Sequence, residues 1–283
     1  MSYDNTALNS TIDEKWDMDL EEARYANAVI MPRITNRSSI VKKSGDTINV
    51  TVKGKYAAND VGSGGSLTTQ TISLTSVPIL IDKHKEVTAE TEDKAMAQSF
   101  WNPESDFPVD AGKAMAEQVD TDIANLYSDL TTNVIGSEAS PVEFDDVPLR
   151  AAMLKLADLN IPLTELSWLL PPVAFYKGLF TQDRFTDADR AGLPKNVLTT
   201  NFRFPLLGVP AFESTLLATV GESRKAMLLH KSAMAIAMQL NNTFKRADRT
   251  ASLVLSSVVS VNSLYGVKTI REDHGVLVNV KKD

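Results

Sequence analysis

Three histidines are the first candidates for acid–base or metal chemistry: His84 in "IDKHKEV", His230 in "LLHKSA" and His274 in "EDHGVL". No two stand at metal-ligand spacing, and no Gly-x-Ser-x-Gly elbow offers a nucleophile. Each reads as a surface or strand-end residue. The run "GSGG" at 62–65 has the glycines of a phosphate cradle, but no Gly-Lys-Ser/Thr follows and no helix begins there. Gly54-Lys55 is followed by Tyr56, so it is no phosphate loop either. The carboxylates Glu90, Glu92, Asp93, Asp145 and Asp146 have no spacing that singles out an acid–base pair; they read as solvated faces and caps. With no cysteine in the chain, disulfides and thiolate metal sites are excluded. Met227, Met234 and Met238 suit core filling. Trp16, Trp101 and Trp168 fall in separate segments, as packing anchors do. The expectation is a protein that is not an enzyme, with no catalytic, cofactor or metal residues.

The 283 residues are 43% hydrophobic, enough for one large domain or two intertwined ones. The formal charge of -7 comes without any basic block, which disfavours a grip on nucleic-acid phosphates. No apolar run is long enough for a membrane span. The opening "MSYDNTALNSTIDEKWDMDL" has neither a basic leader nor an apolar core, so the expectation is a reducing, non-secretory setting.

Periodicity then places the elements. Residues 11–27 predict an amphipathic helix, with Thr11 and Glu14 spaced as a capping box and Ile12, Trp16, Leu20 and Ala23 on one face. Residues 46–53 alternate, with Ile48, Val50 and Val52 on one side, which predicts a strand. The tip "AANDVGSGGS" follows, with Gly62, Gly64 and Gly65 giving backbone freedom. "LTTQTISLTSVPILID" then returns, carrying Leu67, Ile72 and Leu74 among threonines and serines. Limbs of about 12 residues at roughly 3.3 Å each would reach about 40 Å. An isolated two-stranded ribbon is marginal in water, so this arm needs a partner surface. Val50, Val52, Tyr56, Leu67, Ile72 and Leu74 are its contact candidates, together with Trp16 and Leu20 of the N-terminal helix.

Residues 108–130 predict the longest helix, with Met115, Val119, Ile123, Leu126, Tyr127 and Leu130 in one stripe and Pro108 in the first turn. Residues 147–160 predict a second helix, "LSWLLPP" a short buried strand, and "PVAFYKGLF" a further helix. "RKAMLLHKSAMAIAMQ" reads as a strand through Met227–Leu229 and then a short helix. The chain ends in strands, "TASLVLSSVVSVNSLYGVKTIRED" and "GVLVNV".

This order of parts resembles the major capsid protein of tailed bacteriophages, a fold also seen in encapsulin shells. "KSGDTINVTV" and "VPILIDKHKEVTAETED" resemble the two limbs of that family's extended loop. "AGKAMAEQVDTDIANLY" resembles its spine helix, with Asp120 where an acidic residue often stands. "LLGVPAFES" resembles a segment of its axial domain, and "LYGVKTIREDHGVLVNV" its late peripheral strands. The resemblance implies an α+β fold in five parts. These are an N-terminal arm (1–42), an extended β-hairpin loop (43–91), a peripheral domain with the spine helix (92–141), an axial domain (142–240) and a return to the peripheral domain (241–283).

The resemblance also implies hexamers and pentamers of this chain in an icosahedral or prolate shell around double-stranded DNA, contacted without sequence specificity. A separate scaffolding protein, a portal and decoration proteins are the implied partners, with no membrane and no cofactor. The implied location is the virion, after assembly in the host cytoplasm. Some relatives join subunits by a Lys–Asn bond. Lys53 and Lys55 lie in the arm and Asn262 and Asn279 in the late strands, but no motif marks them. Two other readings compete: an encapsulin-like compartment holding a cargo enzyme, and a soluble hydrolase with a hairpin lid.

Overall fold

The computed structural model describes residues 26, 28–41, 47–61, 65, 67, 69–98, 103–181, 205–248 and 256–282. The helix expected at 11–27 lies outside them except for Ala26, which is not helical. Three sheets organise the rest. A four-stranded sheet runs β1 (Thr35–Asn36), β10 (Met234–Asp248), β11 (Ser256–Thr269), β4 (Lys83–Glu92). A six-stranded sheet runs β5 (Val134–Ile135), β12 (Gly275–Lys281), β9 (Ser223–His230), β6 (Leu166–Leu170), β7 (Ala211–Glu213), with β8 (Thr219–Val220) also on β9. The third sheet is the hairpin of β2 (Thr47–Lys53) and β3 (Leu74–Leu80).

The longest helix, hereafter the spine helix, spans Pro103–Ala124 and tightens into a narrower turn at Asn125–Asp129. Pro108 therefore lies inside it, not in its first turn as expected; Pro103 takes the opening position, where a missing N–H costs nothing. The apolar stripe is as the spacing predicts. Met115 packs with Val261 of β11, while Val119 and Ile123 enter a core shared by both large sheets. That core also contains Leu169, Met227, Leu229, Met234, Ile236, Tyr265 and Leu277, so one helix face joins the two sheets.

A second core lies on the other side of the six-stranded sheet. Trp168 is fully buried there against the edge of Phe144, with ring centroids 5.6 Å apart. The helix Asp146–Asp158 covers this core with Leu149, Ala152 and Leu156, and Asp145 caps its first turn by accepting from the Val147 amide at 2.9 Å. β6 is buried at every position, as a central strand of a sheet covered on both faces must be.

Two expectations need correction. The short helix after Leu229 is absent: β9 turns at Lys231–Ala233 and continues as β10. Alanine and methionine favour helix, but here the alternation decides. Met234 and Ile236 face the shared core while Ala235 and Ala237 face the hairpin, so both faces of β10 are buried. The hairpin limbs are also shorter than expected. Seven residues pair on each side, and beyond Lys53 and Leu74 the chains are held by Gly54 N–H to the Ser73 carbonyl and by the Gln70 amide against the Ala57 backbone. A side chain occupies the place of a ladder rung there, and the Thr/Ser-rich limb carries too few large apolar groups to hold a longer pleat.

The sheet pairing also cuts across the border drawn at 240/241. The first half of β10 lies in the four-stranded sheet, whereas the final strand β12 lies in the six-stranded one, between β5 and β9. Each sheet is thus closed by chain that returns from the other.

Gly266 on β11 is where the hairpin crosses the body. A Cβ there would overlap the Leu80 carbonyl oxygen and press on Ile81. Gly266→Ala is expected to lower unfolding stability by about 1–3 kcal/mol through this overpacking, measured by denaturant unfolding. Gly112→Ala, in open space on the spine helix, should not be destabilising.

Candidate functional site

The segment at 30–38 and the chain that follows the hairpin both meet the spine helix, and neighbouring carboxylates hold them. Asp120 is fully buried and accepts from the Ile30 amide at 2.7 Å and from the Met31 amide at 2.9 Å. These amides open the short turn Met31–Arg33, whose first N–H groups have no partner within the turn. Burial pushes the Asp120 carboxyl above its ordinary value, and the amides of Ile30, Met31 and Val29 pull it back. Ile30 and Ile34 enter the shared core beside it. Further along, β1 pairs with Ala235 and Ile236, and Ser38 Oγ accepts from the Met238 amide at 3.0 Å. The chain leaving the N-terminal arm is therefore fastened over 30–38.

Asp122, two positions on, points to a different face of the helix. It accepts from the Tyr265 hydroxyl at 2.8 Å and lies 3.8 Å from Lys83, the first residue of β4, which follows the hairpin. Burial and the Asp122 charge push the Tyr265 hydroxyl far up, so it remains a donor.

From this fixed base the hairpin runs outward with a gradient of burial. Ile48 and Ile79 are buried against Ala235 and Ala237 of β10. Val50 pairs with Val77, and both are half-buried; Val52, opposite Thr75, is also half-buried. Beyond them Leu74 is 66% exposed, Tyr56 67% and Leu67 79%, while Ile72 is half-buried. The chain thus covers the root of the hairpin and leaves its outer part bare, with Leu74 on the face opposite to Ile48 and Ile79. Gly65 has φ +72°, which favours glycine. Trp16, Leu20, Gly62 and Gly64 lie outside the described residues.

The histidines are arranged in a way their spacing did not reveal. His84 is exposed on β4. His230 and His274 stack edge to face with ring centroids 5.5 Å apart and share Ser232. The Ser232 amide donates to His230 Nδ1 at 3.2 Å, so that nitrogen carries a lone pair. The Ser232 hydroxyl, 2.8 Å away, donates to the same nitrogen, which leaves its oxygen to accept from His274 Nδ1–H at 2.6 Å. The cluster sits where β9 passes into β10 and β11 into β12, the two crossings between the large sheets. It ties the two crossings together through the Ser232 hydroxyl. Among the described residues, no group of three or more acidic or histidine side chains could hold a metal ion. Asn279 is buried in its own sheet against Lys225 and Ser223.

No family model and no curated protein matches the chain. Solved structures do. A structure of Mycobacterium phage Che8 superposes with a TM-score of 0.78 at 22% identity, covering 94% of this chain and 96% of that one. The capsid structure of cyanophage P-SCSP1u gives 0.79 at 14% identity, covering 98% and 95%. The asymmetric unit of the mature capsid of bacteriophage PhiM1 gives 0.72 at 15% identity, covering 95% and 92%. The chain has the phage major-capsid fold. At these identities the path of the chain is shared but most side chains are not, and the α+β class expected above is borne out. Among the described residues, no helix of this capsid fold is long and apolar enough to cross a membrane.

Asp120→Ala would orphan the Ile30 and Met31 amides. It is expected to cost about 1–3 kcal/mol per amide left unpaired, with fast hydrogen exchange at residues 30–34 as the local readout. His274 supplies a pH test. Burial lowers its pKa from 6.5, and the charges of Arg271, His230 and Lys55 lower it further against Asp273. The unfolded chain then binds a proton that the native one refuses. Its stabilisation is complete above pH 6.5 and declines as the pH falls through the lower native value. Denaturant unfolding at descending pH should show this slope, reduced in His274→Gln.

Proposed function

We propose that this chain is the major structural subunit of a phage head. It assembles as hexamers and pentamers into an icosahedral or prolate shell around double-stranded DNA. The observation that carries the reading is the hairpin itself, buried at its root by Ile48 and Ile79 and exposed farther out at Tyr56, Leu67 and Leu74. A neighbouring copy laid under the hairpin would cover what this copy leaves open, and lattice contacts of that obligate kind bury more than about 2,000 Å². The likeness to capsid structures over nearly the whole chain supports the same reading.

In this role the chain turns over no substrate. A separate scaffolding protein would guide curvature, a portal would replace one vertex and decoration proteins would sit outside. The net charge of -7 suits a wall that does not cling to phosphates, so DNA is enclosed without sequence-specific contact. The particle forms in the host cytoplasm and becomes the virion.

Light scattering and negative-stain microscopy of the purified protein, alone and with a co-expressed scaffold, test this. Closed particles of megadalton mass are expected; a persistent monomer or dimer under both conditions overturns the reading. Particles that contain protein cargo in place of DNA, when isolated from their native host, would indicate the encapsulin-like alternative. Replacing residues 55–72 with a short turn retains the root that packs on β10, so the chain should keep its melting transition and lose particle formation. Alanine at Gly62, Gly64 and Gly65 together is expected to give malformed shells, because Gly65 at least occupies a backbone region where a side chain is strained.

A further inference from the structure

Lys225 is 1% exposed in the middle of the six-stranded sheet, and neither extension uses it. A buried ammonium is retained at a cost unless its surroundings answer it closely. Its Nζ donates to Glu138 Oε1 at 2.8 Å and to Asn279 Oδ1 at 2.7 Å, with Ser223 Oγ at 3.5 Å and the Tyr127 ring at 5.4 Å. Lys225 and Asn279 are direct cross-strand partners on β9 and β12, so the backbone register itself holds the two side chains together. Asn279 is 2% exposed. Its Oδ1 accepts a second hydrogen bond from the Ser223 hydroxyl at 3.1 Å, and its Nδ2 donates to the Gly136 carbonyl at 3.1 Å, two residues before Glu138.

A salt bridge alone would need only Glu138. The additional groups match the parts of an amide transfer. There is an amine against a carboxamide, a carboxylate on the amine, and a hydroxyl donor on the oxygen where charge would develop. Holding both reactants on paired strands makes the reaction effectively unimolecular.

We propose that Lys225 and Asn279 condense into an isopeptide bond within one chain, with Glu138 carrying the protons. The bond lies inside the axial sheet and joins no two subunits. Glu138 takes one proton from the Lys225 ammonium. The freed amine attacks Asn279 Cγ, and the negative charge on Oδ1 is held by the Ser223 hydroxyl. Glu138 passes its proton to Nδ2, the Cγ–Nδ2 bond breaks, and ammonia departs. The second proton that Nζ sheds goes through Glu138 to the ammonia, so ammonium leaves and the carboxylate is restored. Nothing is oxidised or reduced, and no other reactant is consumed. The Glu138 side chain is 56% exposed, which gives the ammonium a way out. The product replaces a buried ion by a neutral amide.

Intact-mass spectrometry of the full-length purified chain, with peptide mapping, tests this independently of shell formation. The expected mass is below the sequence mass by one ammonia, and digestion should yield a branched peptide that carries both Lys225 and Asn279. Glu138→Gln, at a half-exposed position, should keep the fold by circular dichroism and slow the condensation by at least about 100-fold. A wild-type chain that is folded, has the full sequence mass and yields separate Lys225 and Asn279 peptides after prolonged incubation overturns the proposal. Loss of ammonia at an unchanged rate in Glu138→Gln would overturn the role given to Glu138.

Discussion

The structure depends on one buried carboxylate. Asp120 presents its oxygens to the Ile30 and Met31 amides from the middle of the spine helix, in a core where neither amide could reach water. A buried N–H without an acceptor and a buried carboxylate without a donor are each costly, and here each satisfies the other. The result is a fixed point between the N-terminal segment and the long helix. From it the chain passes to β1, along the edge of β10, and into the hairpin. Asp122 fastens the far end of the hairpin on another face of the same helix through Lys83 and Tyr265. A helix with two such anchors fixes where the segment at 30–38 and the chain that follows the hairpin meet the body.

Rigid roots and bare tips follow from the same physics. The hairpin root is covered because Ala235 and Ala237 are small enough for Ile48 and Ile79 to seat on β10, and because Gly266 lets the Leu80 backbone pass close over β11. Farther out, Tyr56, Leu67 and Leu74 are exposed. A long, stiffly rooted and incompletely covered ribbon is a poor design for a solitary molecule. In a closed lattice every copy provides the surface that its neighbour lacks.

The two large sheets are bound by exchange of strands as well as by a shared core. The chain crosses between them at 231–233 and again at 270–274, and the Ser232-bridged histidine pair ties these crossings together. Relative motion of the sheets would need both crossings to move at once. Among the described residues, the cluster at Ser232 lies at these crossings, that at Asp120 between the turn Met31–Arg33 and the spine helix, and that at Lys225 within the six-stranded sheet.

The sequence by itself determined the element types wherever period and burial agree. The alternation of Ile48, Val50 and Val52, the stripe of Met115, Val119 and Ile123, the run of β6 that is apolar except at Ser167, and the two C-terminal strands all follow from local pattern. The order of these parts was also legible and carried the capsid resemblance. Tertiary structure decided the rest. The segment after Leu229 has helix-forming composition but became β10, because β11 on one side and the faces of the hairpin and shared core on the other leave no room for a helix. The hairpin stops pairing at Lys53 because register depends on apolar partners across the ladder, not on the length of an alternating run. The encounters of His230 with His274, of Asp120 with Ile30, and of Lys225 with Asn279 join residues far apart in the chain. Only strand order in space could bring them together, since no spacing along one strand or helix encodes a contact between two.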